Sequence, residues 1–528
     1  MDFPVRALVL GAFLSIAVSM YSAFAGLKIG GVYWPSVTMA VVAMAILAVL
    51  GNTNKNEVNL VQTAASAGGL LAAGVIFTIP AIWLLGLEVG FWEILFVSLA
   101  GGLAGILFSI PLRKEMIERE RLPYPDGMAT AAIIEAGDEK GEKAKLVFGM
   151  VGFGAFISLL RDQFGLIPGI LSIDSVKASF TRLFSLGTSV SQIPFAGGYL
   201  IGAKFTAIWF AGAVLSHFIL IPWLVYSGVF AAKAEAAVAI ASPLGIGIVV
   251  GASIAYFALK AVPRLRQIFA SYREAGLGGS RAFGLAVIFL VALLTAVLQL
   301  NALVSVIAIL GAFAMAYIGA RVTGEMNVDP MELFAMIVLI VAKLFFGFDA
   351  VLLVLLAAVV CISAGVAGDL LQDLKAGFIL KTSPRKQLYA QVVGVIAASL
   401  AIGFVMLAFN ANGLVGTPEF PAPQATALSA VVSAGSLDTV LLVGILIGLV
   451  AALIVNFFSS AIGVIAFGIG VYVPILLSFP MFLGGLLRLA ADKKGFTEKG
   501  RLLAAGAIAG EGFIGMVLLL IGFAQTIF

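Results

Sequence analysis

Long stretches with almost no charge constrain this chain more than any other feature. Pro4–Ala25, Trp34–Leu50, Phe91–Pro111, Tyr199–Tyr226, Val351–Leu371 and Leu502–Phe528 hold no more than one charged residue each. About 20 consecutive apolar residues suffice to cross a bilayer as a helix. Lipid offers the backbone no hydrogen-bond partner, so spans must be helices or a closed barrel. The runs are continuous rather than alternating, which favours helices over barrel strands. Only 11% of the 528 residues are charged and 62% are apolar, whereas a soluble domain carries roughly a quarter charged residues. The expected fold class is an all-α polytopic membrane protein. It should have roughly 14–16 transmembrane helices, with shorter segments that enter the membrane without crossing it.

Cys361 is the only cysteine and His217 the only histidine. An intrachain disulfide is impossible, and a transition-metal site made of Cys and His is not expected. The net charge is +4, and most of the basic residues fall in loop clusters at Arg113–Arg121, Lys140–Lys145, Lys260–Arg281, Lys381–Lys386 and Arg488–Arg501. Basic loops stay on the cytoplasmic side. Placing all five there puts the N-terminus inside and the loop near Asn410–Glu419 outside. The first apolar segment lacks a small-residue cleavage site and reads as a retained span.

The two halves of the sequence echo each other. Gly26–Gly31 with Pro35 resembles Gly319–Gly324 with Pro330. Thr63–Gly68 resembles Cys361–Gly365, and PYPDGMATAAIIEAG at Pro123–Gly137 resembles PAPQATALSAVVSAG at Pro421–Gly435. Pro194–Gly198 is similar to Pro480–Gly485. The order is kept throughout. The expected organisation is therefore two repeats, 1–280 and 281–528. The charge map places the two proline-rich motifs on opposite sides, which makes the repeats inverted. Inverted repeats give alternating access in secondary transporters, with sites near the midplane at broken helices.

Ionisable groups inside spans are functional candidates by default. The acids are Glu511 in AGAIAGEGFIG, Glu325 in GARVTGEMNVDP, and Asp369 and Asp373, four residues apart on one helical face. A carboxyl in low dielectric gives up its proton less readily, which suits it to proton coupling. For substrate binding the candidates are Lys28, Asn59, Gln62, Thr63, Ser66, Gly68, Arg321 and Ser363. Lys28 or Arg321 could hold a carboxylate, and the Asn59–Ser66 stripe could meet peptide groups. Gly68 also has a plain packing reading, since small residues let membrane helices approach. His217 reads as a buried, hydrogen-bonded side chain.

Signals of enzymatic chemistry are absent. There is no Gly-Lys dipeptide, hence no phosphate-binding loop, and no HExxH or CxxC. No cofactor and no bound metal are expected. Several long motifs together resemble the oligopeptide transporter (OPT) family, on the branch with the plant yellow stripe-like metal-chelate transporters. They are GLKIGGVYWP at Gly26–Pro35, NLVQTAASAGGLLAAGVIFTIPA at Asn59–Ala81, LPYPDGMATAAIIEAG at Leu122–Gly137, TGEMNVDP at Thr323–Pro330, AGDLLQDLKAGFILKTSPRKQ at Ala367–Gln387 and GIGVYVPILLSFPMFLGGLLR at Gly468–Arg488. The Asn-Pro-Gly and Lys-Ile-Pro-Pro-Arg motifs of the fungal and plant peptide branch are missing, and Gly69 stands where family members often carry Glu. The compact length is that of a prokaryotic member. The resemblance implies proton-coupled import of oligopeptides across the cell membrane or, alternatively, of metal-chelate complexes. A channel or scaffold is the reading from a different class. The expected partners are a small peptide or chelate, protons and the lipid bilayer, with a homodimer open to such a chain and no nucleic acid.

Overall fold

The computed structural model describes residues 5–32, 34–139, 141–172, 182–274, 279–297, 301–434, 438–457 and 460–527. Tyr33 of the first glycine-proline motif and Gly435 of the second proline-rich motif lie outside the described residues. Among the described residues, twenty helices of ten or more residues run, in order, α1 (Val5–Ile29), α2 (Ser36–Leu50), α3 (Lys55–Ile76), α4 (Phe91–Leu112), α5 (Pro125–Glu139), α6 (Glu142–Ser158) and α7 (Gln192–Ile201). Next come α8 (Ala203–Val214), α9 (Ser242–Tyr256), α10 (Leu265–Glu274), α11 (Gly279–Val297), α12 (Ala302–Met326), α13 (Met331–Phe346) and α14 (Ala350–Leu380). The last are α15 (Pro384–Ala411), α16 (Pro423–Ser433), α17 (Thr439–Asn456), α18 (Ile462–Tyr472), α19 (Ile475–Lys494) and α20 (Thr497–Ile527). A two-stranded antiparallel ribbon, β1 (Ile170–Ser172) with β2 (Gly187–Ser189), precedes α7. Among the described residues, twelve helical stretches are long and apolar enough to cross a membrane, and three shorter apolar helices accompany them. The protein is an all-α polytopic membrane protein.

Local chemistry sets the helix ends. Asn54, Asn301, Asp349 and Asp438 accept first-turn backbone N–H groups at the starts of α3, α12, α14 and α17. Gly347 and Gly495 close α13 and α19 with positive φ, a conformation that costs glycine little.

The chain forms two compact units. The first comprises residues 1–144, 264–435 and 515–528, and the second 145–263 and 436–514. Each draws on both halves of the sequence. In the first unit α14 is the central element and is buried along nearly its whole length. It packs on α3, α4, α5, α12 and α13. Exchanging α1 with α12, α2 with α13, α3 with α14 and α4 with α15 leaves the main packing pattern unchanged. The α1–α3 contact maps to α12–α14, α3–α15 to α14–α4, and α1–α15 to α12–α4. The connections into α5 and α16 share a special geometry. Tyr124 and Ala422, each between two prolines, adopt φ of 46° and 44°. Tyr124 N–H donates to Gly324 O at the end of α12, and Ala422 N–H to Leu27 O at the end of α1, both at 2.9 Å.

The second unit repeats this behaviour under exchange of α6 with α17, α7 with α18, α8 with α19 and α9 with α20. The α7–α19 contact maps to α18–α8, and α8 packs on α19 itself. Glycines set the approach of the backbones. Gly247 and Gly251 of α9 sit against Leu441 O and Ile445 O of α17, and Gly444 and Gly448 of α17 sit against Leu244 O and Ile248 O of α9. Gly506 and Gly510 of α20 meet Val147 O and Val151 O of α6 in the same way. Lipid tails are as apolar as leucine, so such close packing, not hydrophobic burial, holds membrane helices together. The Pro194–Gly198 and Pro480–Gly485 motifs lie on α7 and α19, where Gly198 and Gly484 pack each helix against the other.

These contacts predict a sharp contrast between glycines. Gly448→Leu should destabilise the purified protein by about 1–3 kcal/mol through overpacking and lower its thermal midpoint in detergent. Gly515, also helical, has nothing within 4 Å of an added Cβ, so Gly515→Ala should leave the midpoint unchanged or raise it. Equal effects at the two positions would contradict the packing described.

Candidate functional site

Three helices of the first unit each bring a polar pair at i, i+4 spacing to one place. These are Gln62 and Ser66 of α3, Asp369 and Asp373 of α14, and Gln387 and Gln391 of α15. All six have no exposed surface. Gln62 Nε2 donates to Asp373 Oδ1 at 2.5 Å, and Gln391 Nε2 to Asp369 Oδ2 at 3.3 Å. Gln387 Nε2 donates to Asp373 O at 2.7 Å and reaches Thr63 Oγ1 at 3.3 Å. Ser36, just after Pro35 at the start of α2, places Oγ 3.4 Å from Asp369 Oδ1. No described Lys or Arg forms an ion pair with Asp369 or Asp373.

Ser66 joins the two carboxyl groups. Its Oγ lies 2.7 Å from Asp373 Oδ2, 3.1 Å from Asp369 Oδ2 and 3.2 Å from Thr63 O. A hydroxyl carries one proton and so donates to only one acceptor at a time. A second hydrogen bond at this oxygen needs a proton on one of the carboxyl groups. The surrounding amides suit either state. Gln62 and Gln391 each leave Oε1 without a partner, so either amide, turned, would accept from a carboxylic acid where it now donates to a carboxylate. Among the described residues no group of three or more His, Cys, Asp or Glu is placed to hold a metal ion.

The structure brings Gln62, Thr63, Ser66, Asp369 and Asp373 together and places the other candidates elsewhere. Asn59 is fully buried on α3 with neither end of its amide bonded, and Ser363 Oγ on α14 is likewise unmatched. Gly68 packs α3 onto Ser15 and Ser19 of α1, and Gly365 faces Met331 Sδ. Lys28 is exposed at the end of α1, 3.3 Å from Glu419 and over the rings of Phe24 and Phe420. Arg321 pairs with Glu325 at 2.8 Å and with Glu120, which also binds Arg264 at 2.6 Å. His217 Nε2 lies 3.2 Å from Val473 O.

Glu511, in the second unit, is fully engaged. Arg161 Nη2 is 2.9 Å from Oε1, Ser191 Oγ donates at 2.7 Å, and the N–H groups of Gln192 and Ile193 donate to Oε2 at 2.5 and 3.1 Å. The carboxylate thus binds the first backbone N–H groups of α7, where a negative charge is favoured.

Sequence reasoning missed Ser36, Gln387 and Gln391. It also missed Asp126, Asn327 and Gln372, which form an adjoining network. Asn327 Oδ1 accepts from Asp126 N–H at 3.1 Å and from Gln372 Nε2 at 2.8 Å, and Gln372 Oε1 accepts from Gly127 N–H at 2.8 Å. The available signal was the i, i+4 pairing of polar residues in otherwise apolar helices. It flags Gln387 and Gln391 as clearly as Asp369 and Asp373.

Comparison with known proteins adds independent information. A family model described as OPT oligopeptide transporter protein matches residues 3–275 and 264–521. A Haemophilus influenzae protein named "Putative oligopeptide transporter" is 27% identical over 589 aligned positions, covering 94% of this chain and 92% of that protein. A Saccharomyces cerevisiae protein of the same designation is 29% identical over 151 positions, covering 27% of this chain and 19% of its own.

The Glu511 geometry makes its own prediction. Glu511→Ala leaves the Ser191 hydroxyl and the N–H groups of Gln192 and Ile193 without their acceptor, while Arg161 keeps Asp162 at 2.6 Å, a loss of about 1–3 kcal/mol. Unfolding of the purified variant should shift accordingly, with Glu511→Gln, which keeps an acceptor oxygen, falling between it and the parent. An alanine variant as stable as the parent would show that this carboxylate does not anchor α7.

Proposed function

The chain belongs to the oligopeptide transporter (OPT) family, and on that premise we propose that it is a proton-coupled importer of oligopeptides whose proton resides on the Asp369–Asp373 pair. The observation that carries this reading is the single hydroxyl of Ser66 between two fully buried carboxyl groups with no cationic partner. An unpaired buried carboxylate costs several kcal/mol, and two side by side cost more, so a shared proton is the economical state. Release of that proton requires water to reach the pair, which links protonation to conformation.

Alternating access supplies the conformational change. The interchange of helix partners between residues 1–280 and 281–528, and the reciprocal bonds of Tyr124 and Ala422, support a duplicated chain with inverted halves. The basic clusters support a cytoplasmic N-terminus in the cell membrane. Peptide as the solute is supported by the names of the two relatives. The unmatched amide of Asn59 and hydroxyl of Ser363 suit backbone groups of a peptide, and Lys28 suits a terminal carboxylate in exchange for Glu419. Arg321, Glu325 and Glu511, already engaged in ion pairs, serve structure in this reading.

Uptake in proteoliposomes tests it. Asp373→Asn and Asp369→Asn should still exchange labelled peptide across equal concentrations. An imposed proton gradient should drive no accumulation above that of de-energised vesicles. Gradient-driven accumulation at the parent level in both variants would refute the assignment.

A further inference from the structure

The helices α5 and α16 begin alike but are seated differently. Nine residues of α5 are buried, whereas only Ala425 and Leu428 of α16 are. The first turn of α5 is stitched to the acid-bearing helix α14. Asn327 and Gln372 bond the N–H groups of Asp126 and Gly127. Gly127 lies against Gln372 O with no space for a side chain. Lys375 Nζ donates to Leu122 O at 2.7 Å. The α16 start has Gln424 and Ala425 at these positions and bonds only Gly30 O and Leu27 O at the end of α1. Its far end is held by Lys343, whose ammonium donates to the carbonyls of Val431, Val432 and Ala434 at 2.5–2.9 Å.

Docking α5 also buries an acid. Asp126 is 1% exposed, its Oδ2 has no partner, and it lies within electrostatic range of Asp369. The other titratable groups at this joint are Tyr21 of α1, within range of Asp369, and Asp329 before α13, whose carboxylate lies against Gly368 and within range of Glu332. Lys375 donates its ammonium to Leu122 O, not to a carboxylate. Asp126, Asp329, Asp369 and Asp373 thus bring four carboxyl groups to one region, and among the described residues none of them is in an ion pair.

We propose that α5 is a gate on the acid pair, that Asn327 and Gln372 are its positioning residues, and that the gate docks only while the pair holds a proton. Loss of the proton leaves uncompensated charge beneath α5, and undocking admits the water that solvates it. The proposal rests on the proton residing at Asp369–Asp373. Among the described residues the start of α16 bonds no group of the acid-bearing helix α14, and in the proposal it does not share this control.

Thiol labelling of the full-length protein in proteoliposomes tests the gate. Thr130 of α5 is fully buried with an unbonded hydroxyl, so Thr130→Cys in a Cys361→Ala background is a compact reporter. A Ser429→Cys reporter on α16 corrects for the pH dependence of thiolate reactivity. The corrected labelling of Thr130→Cys should be slow at acidic pH and roughly tenfold faster at alkaline pH, with Asp373→Asn holding it slow at both. Asn327→Gly keeps the backbone conformation, since the φ of 57° suits glycine, and removes the latch. It should label fast at both pH values. Gln372→Met, of similar size, serves the same purpose if the glycine variant does not fold. If corrected labelling ignores pH while gradient-driven uptake of labelled trialanine persists, the gate is overturned and proton coupling stands. If uptake also ignores the gradient, both readings fall.

Discussion

Lipid solvates neither backbone nor charge, and the rest of this structure depends on how that constraint is met. Backbone groups are satisfied by long helices with capped ends. Several poorly exposed side-chain charges are satisfied in pairs, such as Arg161 with Glu511 and Arg321 with Glu325. The Asp369–Asp373 pair departs from this pattern. It is more deeply buried than either ion pair and is met only by neutral donors. Paired charges fix geometry permanently, because breaking them strands a charge. A pair served by hydroxyl and amide groups can gain or lose a proton and be satisfied in both states. This difference separates the structural acids of the chain from the pair able to do work.

Close packing gives that pair its setting. Glycines on α9, α17, α20 and α6 bring backbones together in the second unit. In the first unit α3 and α14 pack directly on each other and carry the polar residues between them. The interchange of α3 with α14 is imperfect in one respect that matters. The offset that matches Ser66 with Ser363 matches Asp369 with Ala72 and Asp373 with Ile76. Two near-equivalent scaffolds therefore carry chemistry on one side only, and the two gate helices α5 and α16 need not respond alike.

Much of this was legible in the sequence. Span length and the absence of charge dictate membrane helices with little ambiguity, because only helices and closed barrels satisfy the backbone in lipid and the apolar runs do not alternate as barrel strands do. Three of the four collinear motif pairs fall on helices that exchange packing roles, including the Pro-x-Pro corners of Tyr124 and Ala422; the fourth, on α7 and α19, falls on two helices that pack on each other and do not exchange. The site was read less well. Glu511 looked isolated because Arg161 and Ser191, its partners, are more than 300 residues away in sequence. Asp369 and Asp373 stand close to Lys375 in sequence, but its ammonium turns to Leu122 O. Long-range pairing is a property of the packed helices, and no local pattern encodes it. Gln387 and Gln391 were legible in principle, since amides at helical spacing are costly in lipid and must face a polar partner.

The central claim is that one proton is held between Asp369 and Asp373, and infrared spectroscopy of the purified protein reads it most directly. At neutral pH the parent should show a carboxylic-acid C=O stretch that shifts on exchange into heavy water. The difference spectrum between the parent and the Asp369→Asn, Asp373→Asn double variant should contain such a band, and that between the parent and Glu511→Gln should not. A parent-minus-double-variant spectrum with no such band would contradict the account.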